Sequence, residues 1–312
     1  MTDMKNKVIV ILGPTASGKT SLGIQLAKSL NGEIISGDSM QVYRGMDIGT
    51  AKPDMAEREG IPHHLIDILD ISEKFSVASF CDLATRAVED ICSHGKTPII
   101  VGGTGMYIET LVSGRLYETE SADEDKRREY ERFAAENGAP ALHARLAELD
   151  PASAEKIHPN NVKRVIRAIE IAETGGNTKS LLEQSLKADK PFESLMLYLT
   201  PPDRETMYSR INKRVDIMME SGLLKEVTEL DNIGLRNTPT ASQAIGYKEF
   251  FPYIDGEASL AECVEKLKQH TRNYAKRQTT YFGHMTGLIP VSAGENSGES
   301  AKRICEQWLK TL

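Results

Sequence analysis

The amino-acid sequence predicts an α/β protein in which a mostly helical insertion interrupts a parallel β-sheet. Three observations support this prediction. A glycine-rich loop motif joins an apolar strand to a helix near the start, strand and helix patterns alternate through the first third of the 312 residues, and the chain becomes charged and helical after Gly114. Strands that alternate with helices are typical of βαβ units, whose strands lie parallel in one sheet.

The first third of the chain contains the elements of this sheet. Short apolar runs predict buried strands at residues 8–12, 33–36 and 97–101. Apolar positions at helical spacing predict helices at residues 17–30, 75–94 and 106–112. Ser72 is the expected opening residue of the second helix. Because such a sheet binds ligands outside the carboxyl ends of its strands, the residues after each strand are the first site candidates.

Residues 115–190 are predicted to form the helical insertion. Within them, residues 123–174 are charged and helical in period, and they contain no strong strand pattern. Breaks are expected at residues 138–140 and 150–151, where glycine and proline interrupt the helical pattern.

The chain then returns to the sheet. The apolar run at residues 195–199 is predicted to be a strand, so the core would consist of residues 1–114 and 191–312. Beyond Asp203 we expect mostly helix, with a flexible stretch at residues 292–300 before one short final helix.

Composition and charge narrow the class of protein. The net charge of −7 argues mildly against a general nucleic-acid coat, although basic residues outnumber acidic ones within residues 262–277. No apolar stretch approaches the ~18 residues of a membrane span, and residues 1–7 leave no room for a signal peptide. The cysteines are scattered and predict free thiols without a zinc site: Cys81, Cys92, Cys263 and Cys305. We therefore expect a cytoplasmic protein.

Residues 13–20 match the phosphate-loop pattern G-x-x-x-x-G-K-[ST] between a strand and a helix. In such a loop, backbone N–H groups and the helix N-terminus face a phosphate. Lys19 would reach the outer phosphates, and the Thr20 hydroxyl would bind Mg²⁺. The alternative, a glycine-rich turn without a ligand, is disfavoured by this context. The expected polyphosphate-binding residues are Gly13, Pro14, Thr15, Ala16, Ser17, Gly18, Lys19 and Thr20.

Asp38 follows the second predicted strand and is expected near the phosphate loop. It could hold Mg²⁺ through water or act as a general base, and the structural alternative is an aspartate that caps a turn. The strand at residues 97–101 is followed by Gly102, Gly103 and Thr104 rather than by an acidic residue. This favours a kinase-like group transferase over an NTP-hydrolysing switch, with the Thr104 hydroxyl available to a diphosphate oxygen.

Three further segments carry cations. Arg210 and Arg214 lie four residues apart on a predicted helix, where they could clamp phosphate or simply form a solvated face. Residues 157–167 place three cations at a helix start, and residues 242–248 combine an amide, a glycine, an aromatic ring and a lysine. Such groups read unpaired bases and hold phosphates, so both segments are candidate RNA contacts, each weak by itself.

Taken in order, these motifs resemble the tRNA isopentenyltransferase (tRNA dimethylallyltransferase) family. The matching phrases span almost the whole chain: residues 13–20, 38–53, 62–67, 101–107, 164–170, 243–248 and 271–278. The phrase D-S-M-Q-V-Y-R-G-M-D-I-G-T-A-K-P is far more specific than the phosphate loop. The resemblance implies a P-loop, nucleotide-kinase-like core. The zinc finger that some relatives carry at the C-terminus is not expected, because Cys305 stands alone there.

The resemblance implies transfer of a dimethylallyl group from dimethylallyl diphosphate to N6 of the adenosine 3′ of the anticodon in tRNA. The phosphate loop would then hold the prenyl diphosphate, with Lys19, Arg214 and Mg²⁺ balancing its charge as it leaves. Asp38 would be the general base, and Thr104 and Arg127 would flank the reaction centre. The base would be flipped out of the anticodon stem-loop to react. A monomer is expected.

The resemblance also implies which residues contact the tRNA. They are Asp38, Ser39, Met40 and Gln41, then Lys163, Arg164, Val165, Ile166 and Arg167, and finally Gln243, Gly246, Tyr247 and Lys248. Three other functions stay open at this point. They are an ATP-dependent small-molecule kinase, a non-catalytic tRNA-binding protein, and an isopentenyltransferase that acts on free adenine nucleotides.

Overall fold

The computed structural model describes residues 5–114, 124–173, 189–201, 203–294 and 296–311. The chain divides into two compact units. The core unit comprises Met1–Val112 and Lys190–Leu312, and the insertion unit comprises Ser113–Asp189. The sequence prediction had set the insertion at residues 115–190.

The core unit contains a six-stranded sheet in which every neighbouring pair of strands is parallel. The strands are β1 (Lys7–Leu12), β2 (Gly32–Ser36), β3 (His63–His64), β4 (Thr97–Gly102), β5 (Glu193–Thr200) and β6 (Leu288–Ser292). Their order across the sheet is β3-β2-β4-β1-β5-β6. β1 therefore lies inside the sheet, and the loop that follows it opens between neighbouring strand ends.

Helices cover both faces of this sheet. The first three are α1 (Lys19–Ser29), α2 (Val77–Ser93) and α3 (Gly105–Ser113). Successive residues of β1 alternate between two apolar cores, as the period of a strand requires. Ile9 and Ile11 pack with α1, whereas Val8, Val10 and Leu12 belong to the larger core that includes α2 and α3.

The insertion unit is a small helical bundle. Its helices are α4 (Glu124–Asn137), α5 (Ala139–Leu149), α6 (Pro151–Lys156) and α7 (Val162–Glu173). The side chain of Asp150 caps α6 by accepting the backbone N–H of Ser153 at 3.0 Å. Leu142, Val165 and Ile169 are completely buried, so the bundle has an apolar core of its own.

Among its described residues, the C-terminal part of the core unit, Lys190–Leu312, contains five α-helices and the strands β5 and β6. The helices are α8 (Arg204–Glu220), α9 (Leu223–Asn232), α10 (Phe251–Ile254), α11 (Leu260–His284) and α12 (Ser297–Leu309). α11 begins with a capping box, in which Ser259 and Glu262 satisfy each other's backbone N–H groups. No helix among the described residues is both long and apolar enough to span a membrane.

Two strands, β3 and β6, were not predicted from the sequence, and several element ends differ from the prediction. β3 has only two residues, and β6 contains Pro290, which a strand tolerates at the edge of a sheet. The stretch predicted to be flexible contains the end of β6 and the start of α12, which has 13 residues. α1 begins at Lys19, and α2 begins after Ser76, which caps it in place of Ser72.

Glu33 ties the edge strand β3 to the sheet. Its carboxylate contacts His64 Nε2 at 2.6 Å and Lys96 Nζ at 2.5 Å. Burial by itself would raise the pKa of Glu33, but the hydrogen bonds and charges of Lys96 and His64 hold this pKa below its ordinary value of 4.5. Glu33 therefore stabilises the folded state above that ordinary value, and the stabilisation is lost as pH falls through the lowered pKa.

We predict that Glu33→Gln lowers the free energy of unfolding by about 1–3 kcal/mol near neutral pH. The difference from the wild type should shrink as pH falls through the lowered pKa of Glu33, because the wild-type carboxylate then also becomes protonated. Urea denaturation at several pH values measures both quantities. Glu59→Gln is the matched control, since Glu59 pairs with Lys28 at an exposed site. A loss of stability that is the same at every pH would contradict the ionic role of Glu33.

Candidate functional site

The phosphate loop follows β1 and leads directly into α1. Gly18 has a φ of +94°, a conformation that favours glycine, and it precedes the first residue of the helix. The Ser17 backbone N–H donates to the Pro14 carbonyl at 3.3 Å and closes a turn. The Ser17 hydroxyl is buried and has no hydrogen-bond partner among the described residues. An unsatisfied buried hydroxyl in this loop fits a polar ligand.

The side-chain amide of Gln278, on α11, joins this loop to the one after β4. Its Oε1 accepts the Thr15 backbone N–H at 2.8 Å, and its Nε2 donates to the Gly103 carbonyl at 2.9 Å. A Cβ atom on Gly103 would lie 2.3 Å from Nε2, so only glycine leaves room for the amide. The sequence analysis placed Gln278 in a family motif and assigned it no role.

A cavity of about 240 Å³ opens beside the phosphate loop. It lies within the core unit, at the carboxyl ends of β2 and β4, and its other walls come from α8, α11 and the segment after α9. Many of the predicted site residues line it together: Thr15, Lys19, Thr20, Asp38, Ser39, Met40, Gln41, Arg214 and Gln243. The rest of the loop, at residues 13–14 and 16–18, forms its backbone frame without lining the cavity.

Two half-buried cations, Lys19 and Arg214, line this cavity. Burial, followed by the positive charge of Arg214, lowers the pKa of Lys19 to about 8, while the charge of Asp38 opposes this shift. Burial also lowers the pKa of Arg214, against the opposing charges of Glu57 and Asp38. Lys19 Nζ donates to the Pro14 carbonyl at 3.3 Å. Desolvation and mutual repulsion disfavour the charges of both cations. A bound anion would offset this cost, so the pair suits an anion-binding site.

Asp38 performs the structural role foreseen for it and also lines the cavity. Its Oδ1 accepts the Met40 backbone N–H at 2.8 Å, which is an Asx turn. The next backbone N–H, of Ser39, donates to Thr104 Oγ1 at 3.3 Å. Thr104 also shares a hydrogen bond with the Tyr274 hydroxyl, whose pKa is raised to about 12 by burial and by the charge of Asp38. Thr104 therefore links the backbone after Asp38 to Tyr274.

The two arginines of α8 have different environments. Arg214 lines the cavity with Ile211, Val215 and Met218, which follow the period of one helix face. Arg210 lies one turn earlier, is exposed, and is not among the residues that line the cavity. The clamp of two arginines that their spacing suggested is therefore not formed, and Arg214 alone supplies the second cation.

His63 is a polar residue of the cavity to which the sequence analysis gave no role. Its Nδ1 lies 2.8 Å from the Ile61 carbonyl, which can only accept, so Nδ1 carries the proton. Its Nε2 is buried and has no partner within the described part of the chain. Burial, together with Arg58 and His64, lowers the pKa of His63. The neutral ring therefore adds a hydrogen-bond acceptor to the cavity.

The segment at residues 243–248 is divided between the cavity and the core. Gln243 is exposed and lines the cavity, and Lys248 is half-buried. Gly246 has a φ of +106° and lies close to the Gly49 carbonyl. Tyr247 is completely buried, and its hydroxyl donates to Glu226 at 2.7 Å. The prediction that Tyr247 contacts RNA is corrected, because a ring packed in the core cannot stack on a base.

The predicted RNA contacts of the insertion unit likewise include both exposed residues and residues of the apolar core. Lys163 and Arg164 are exposed in the first turn of α7. Val165 and Ile166 pack in the core of the bundle, so the prediction that their side chains contact RNA is also corrected.

Arg127, on α4, and Arg167, on α7, share one carboxylate within the insertion unit. Arg127 Nε and Nη2 donate to the two oxygens of Glu170 at 3.0 and 2.9 Å. Arg167 Nη1 donates to Oε2 of the same residue at 3.2 Å. The position of Arg127 beside a reaction centre stays a prediction.

The oxygen donors in the cavity wall fit a magnesium ion whose other ligands come mainly from a bound phosphate compound. The described residues contain no cluster of three or more histidine, cysteine or acidic side chains that could hold a metal ion. Thr20, in the cavity wall, offers the hydroxyl that phosphate loops use for Mg²⁺. Because Mg²⁺ keeps several waters and prefers phosphate oxygens, this donor set suits a magnesium–phosphate complex better than a free ion.

Comparisons with known proteins agree on one family. The family model described as IPP transferase matches residues 41–285. The tRNA dimethylallyltransferase of Bacillus subtilis (strain 168) is 52% identical over 283 residues, which cover 90% of this chain and 89% of that protein. The tRNA dimethylallyltransferase of Exiguobacterium sp. is 50% identical over 295 residues, which cover 95% of this chain and 93% of that protein.

Solved structures show the same similarity. The tRNA isopentenylpyrophosphate transferase of Bacillus halodurans aligns with a TM-score of 0.74 at 44% identity and covers 98% of this chain and 97% of its own. A eukaryotic dimethylallyltransferase, captured acting on tRNA, aligns with a TM-score of 0.81 at 33% identity. That alignment covers 97% of this chain and 79% of the eukaryotic one.

The repulsion between Lys19 and Arg214 predicts how the binding of inorganic pyrophosphate depends on pH. A bound anion would keep Lys19 protonated, so affinity should be present below the pKa of about 8 in the free protein and should fall above it. We expect a loss of up to about tenfold per pH unit. Isothermal titration calorimetry from about pH 7 to about pH 9 measures this.

Lys19→Arg is the matched variant for this titration, because arginine keeps its charge throughout that range. Pyrophosphate ionises equally in both titrations, so the difference between the two slopes of log affinity against pH reports the ionisation of Lys19. Equal slopes would show that Lys19 does not bind the anion.

Proposed function

Because the chain belongs to the IPP transferase family, we propose that it transfers the dimethylallyl group of dimethylallyl diphosphate to N6 of the adenosine 3′ of the anticodon in tRNA. Diphosphate is released. The observation that carries the proposal is the meeting of Lys19, Arg214 and Asp38 in one cavity beside the phosphate loop. Partly desolvated cations suit a departing diphosphate, and a carboxylate suits the proton of an attacking amine.

The proposed step breaks one bond and forms one. The bond between C1 of the dimethylallyl group and the diphosphate oxygen breaks, and C1 forms a bond to N6. Lys19 and Arg214 stabilise the negative charge that develops on the leaving group. The proton that N6 releases goes to the carboxylate of Asp38. The developing allylic cation is delocalised, so stabilising the leaving group is the main task of the protein.

Thr20 would hold Mg²⁺ together with oxygens of the diphosphate. When bound, this ion adds positive charge that helps the diphosphate to leave. The hydroxyl of Thr104 is held beside Asp38 by Ser39 and Tyr274, where it would orient the groups that exchange the proton.

The acceptor adenine would meet Met40, Gln41 and Gln243, which also line the cavity, since amide groups read the edges of unpaired bases. A base inside a stacked anticodon loop cannot reach the cavity, so it would be flipped out. In the insertion unit, Lys163 and Arg164 would contribute phosphate contacts with the anticodon stem.

The rival functions are separated by one experiment. The protein is incubated with Mg²⁺ and dimethylallyl diphosphate, together with either unmodified tRNA or AMP, and prenylated adenosine is sought by mass spectrometry. A parallel reaction contains ATP and no RNA. We expect product with tRNA only. Product with AMP alone would favour an adenylate isopentenyltransferase, and turnover of ATP without RNA would favour a kinase.

We predict that Asp38→Asn lowers the single-turnover rate of prenyl transfer by about 10²–10⁴-fold. Asparagine keeps the oxygen that accepts the Met40 N–H, so the Asx turn should survive and the affinity for tRNA should change little. Rapid quenching gives the rate, and filter binding gives the affinity. Asp70→Asn is the control, because Asp70 pairs with Arg44 at an exposed site. An unchanged single-turnover rate would remove Asp38 as the base.

A further inference from the structure

The carboxylate of Glu226, on α9, accepts four hydrogen bonds outside the proposed reaction centre. Its Oε2 accepts the backbone N–H groups of Asp47 at 3.2 Å and Ile48 at 2.8 Å. Its Oε1 accepts the Gly49 N–H at 3.1 Å and the Tyr247 hydroxyl at 2.7 Å. Three consecutive N–H groups that converge on one anion form a nest, which defines the backbone conformation around it.

This nest begins the recognition loop, a name used here for residues 47–53. Thr50 and Ala51 line the cavity, and both of their carbonyls accept Nε2 of Gln41 at 3.3 Å. Oε1 of Gln41 accepts the Ser36 hydroxyl at 2.9 Å. The loop therefore fixes the orientation of the Gln41 amide, with Nε2 towards the loop and Oε1 towards Ser36. Glu226 in turn fixes the backbone path of the loop.

Tyr247 connects the same carboxylate to a second segment that lines the cavity. Its ring covers Gly49 so closely that a Cβ there would lie 2.5 Å from a ring carbon. Burial and the charge of Glu226 raise the pKa of Tyr247 well above its ordinary value, so the hydroxyl stays protonated and donates. Residues 243–245, which line the cavity, precede this ring in the chain. One carboxylate thus supports both segments that would face the acceptor base.

A second anchor lies at the far end of the recognition loop. Lys52 is almost completely buried and donates to the Tyr43 carbonyl at 2.8 Å and to carboxylates of Asp47 and Asp67 at 2.5 Å each. The backbone between the anchors is strained, since Ala51 has a φ of +50°. When Glu226 is altered, Lys52 keeps the loop attached, and we expect looser positioning rather than unfolding.

We propose that Glu226 is a positioning residue for acceptor recognition, which rests on the proposed transfer to tRNA. It fixes the recognition loop directly and residues 243–247 through Tyr247, and so it orders the amides of Gln41 and Gln243 before tRNA binds. None of its four hydrogen bonds reaches the phosphate loop. Acceptor recognition should therefore depend on Glu226, whereas binding of the prenyl diphosphate should not.

The test compares kinetic constants for the two substrates. Glu226→Gln preserves size but turns one acceptor oxygen into an NH₂ group that faces backbone donors. We expect the KM for tRNA to rise about tenfold, with kcat and the KM for dimethylallyl diphosphate within about twofold of wild type. Tyr247→Phe removes one of the four bonds and keeps the ring, so a rise of about two- to threefold in the KM for tRNA is expected.

Glu229→Gln is the matched control on the same helix, where Glu229 is exposed and pairs with Lys225. It should leave all constants unchanged. Wild-type turnover with an unchanged KM for tRNA in Glu226→Gln would overturn the positioning role alone. An equal rise in both KM values, or a fall in kcat alone, would also overturn it. Absence of product from the wild-type protein would instead refute the proposed function. If thermal melting shows that Glu226→Gln does not fold, Tyr247→Phe decides.

Discussion

The side-chain amide of Gln278 is the contact on which the geometry of the cavity depends. It bonds the phosphate loop through Thr15 and the loop after β4 through Gly103. The chain leaves little tolerance around it, because a Cβ on Gly102 would lie 2.3 Å from the carbonyl oxygen of Gly37. The ends of β1, β2 and β4 are thereby held together with α11. Because these backbones are held in this way, Lys19 and Asp38 line one cavity, and Thr104 accepts the Ser39 N–H beside Asp38.

Electrostatics explains why such rigidity is useful. Lys19 and Arg214 repel each other, and burial penalises both charges. Among the described groups that act on them, Asp38 offsets this cost for both cations, and Glu57 offsets it for Arg214. A flexible site would relax by turning one cation towards water. A rigid site keeps the positive potential in place, so a diphosphate is stabilised without reorganisation at the moment it leaves. The overall charge of −7 conceals this local excess of positive charge.

The sequence foretold those parts of the site that are local in the chain. The phosphate loop is a continuous motif, and Asp38 follows a recognisable strand. The sequence could not show that Tyr247 and Ile166 point inwards, because a family motif contains contact residues and supporting residues alike. β3 was missed because two residues carry no periodicity. Gln278 and Glu226 act across 175 and 177–179 residues of chain, and no local pattern encodes such contacts.

The two sides of the cavity are secured by different chemistry. A neutral amide, that of Gln278, holds the phosphate-loop side, whereas charged groups hold the recognition loop through Glu226 and Lys52. A charged side chain such as Glu226 can bind several partners at once, but few other residues can take its place. Removing the carboxylate of Glu226 leaves three backbone N–H groups and the buried Tyr247 hydroxyl without that acceptor, which costs more than the loss of one neutral hydrogen bond. The acceptor side should therefore tolerate fewer substitutions away from the cavity than the donor side does.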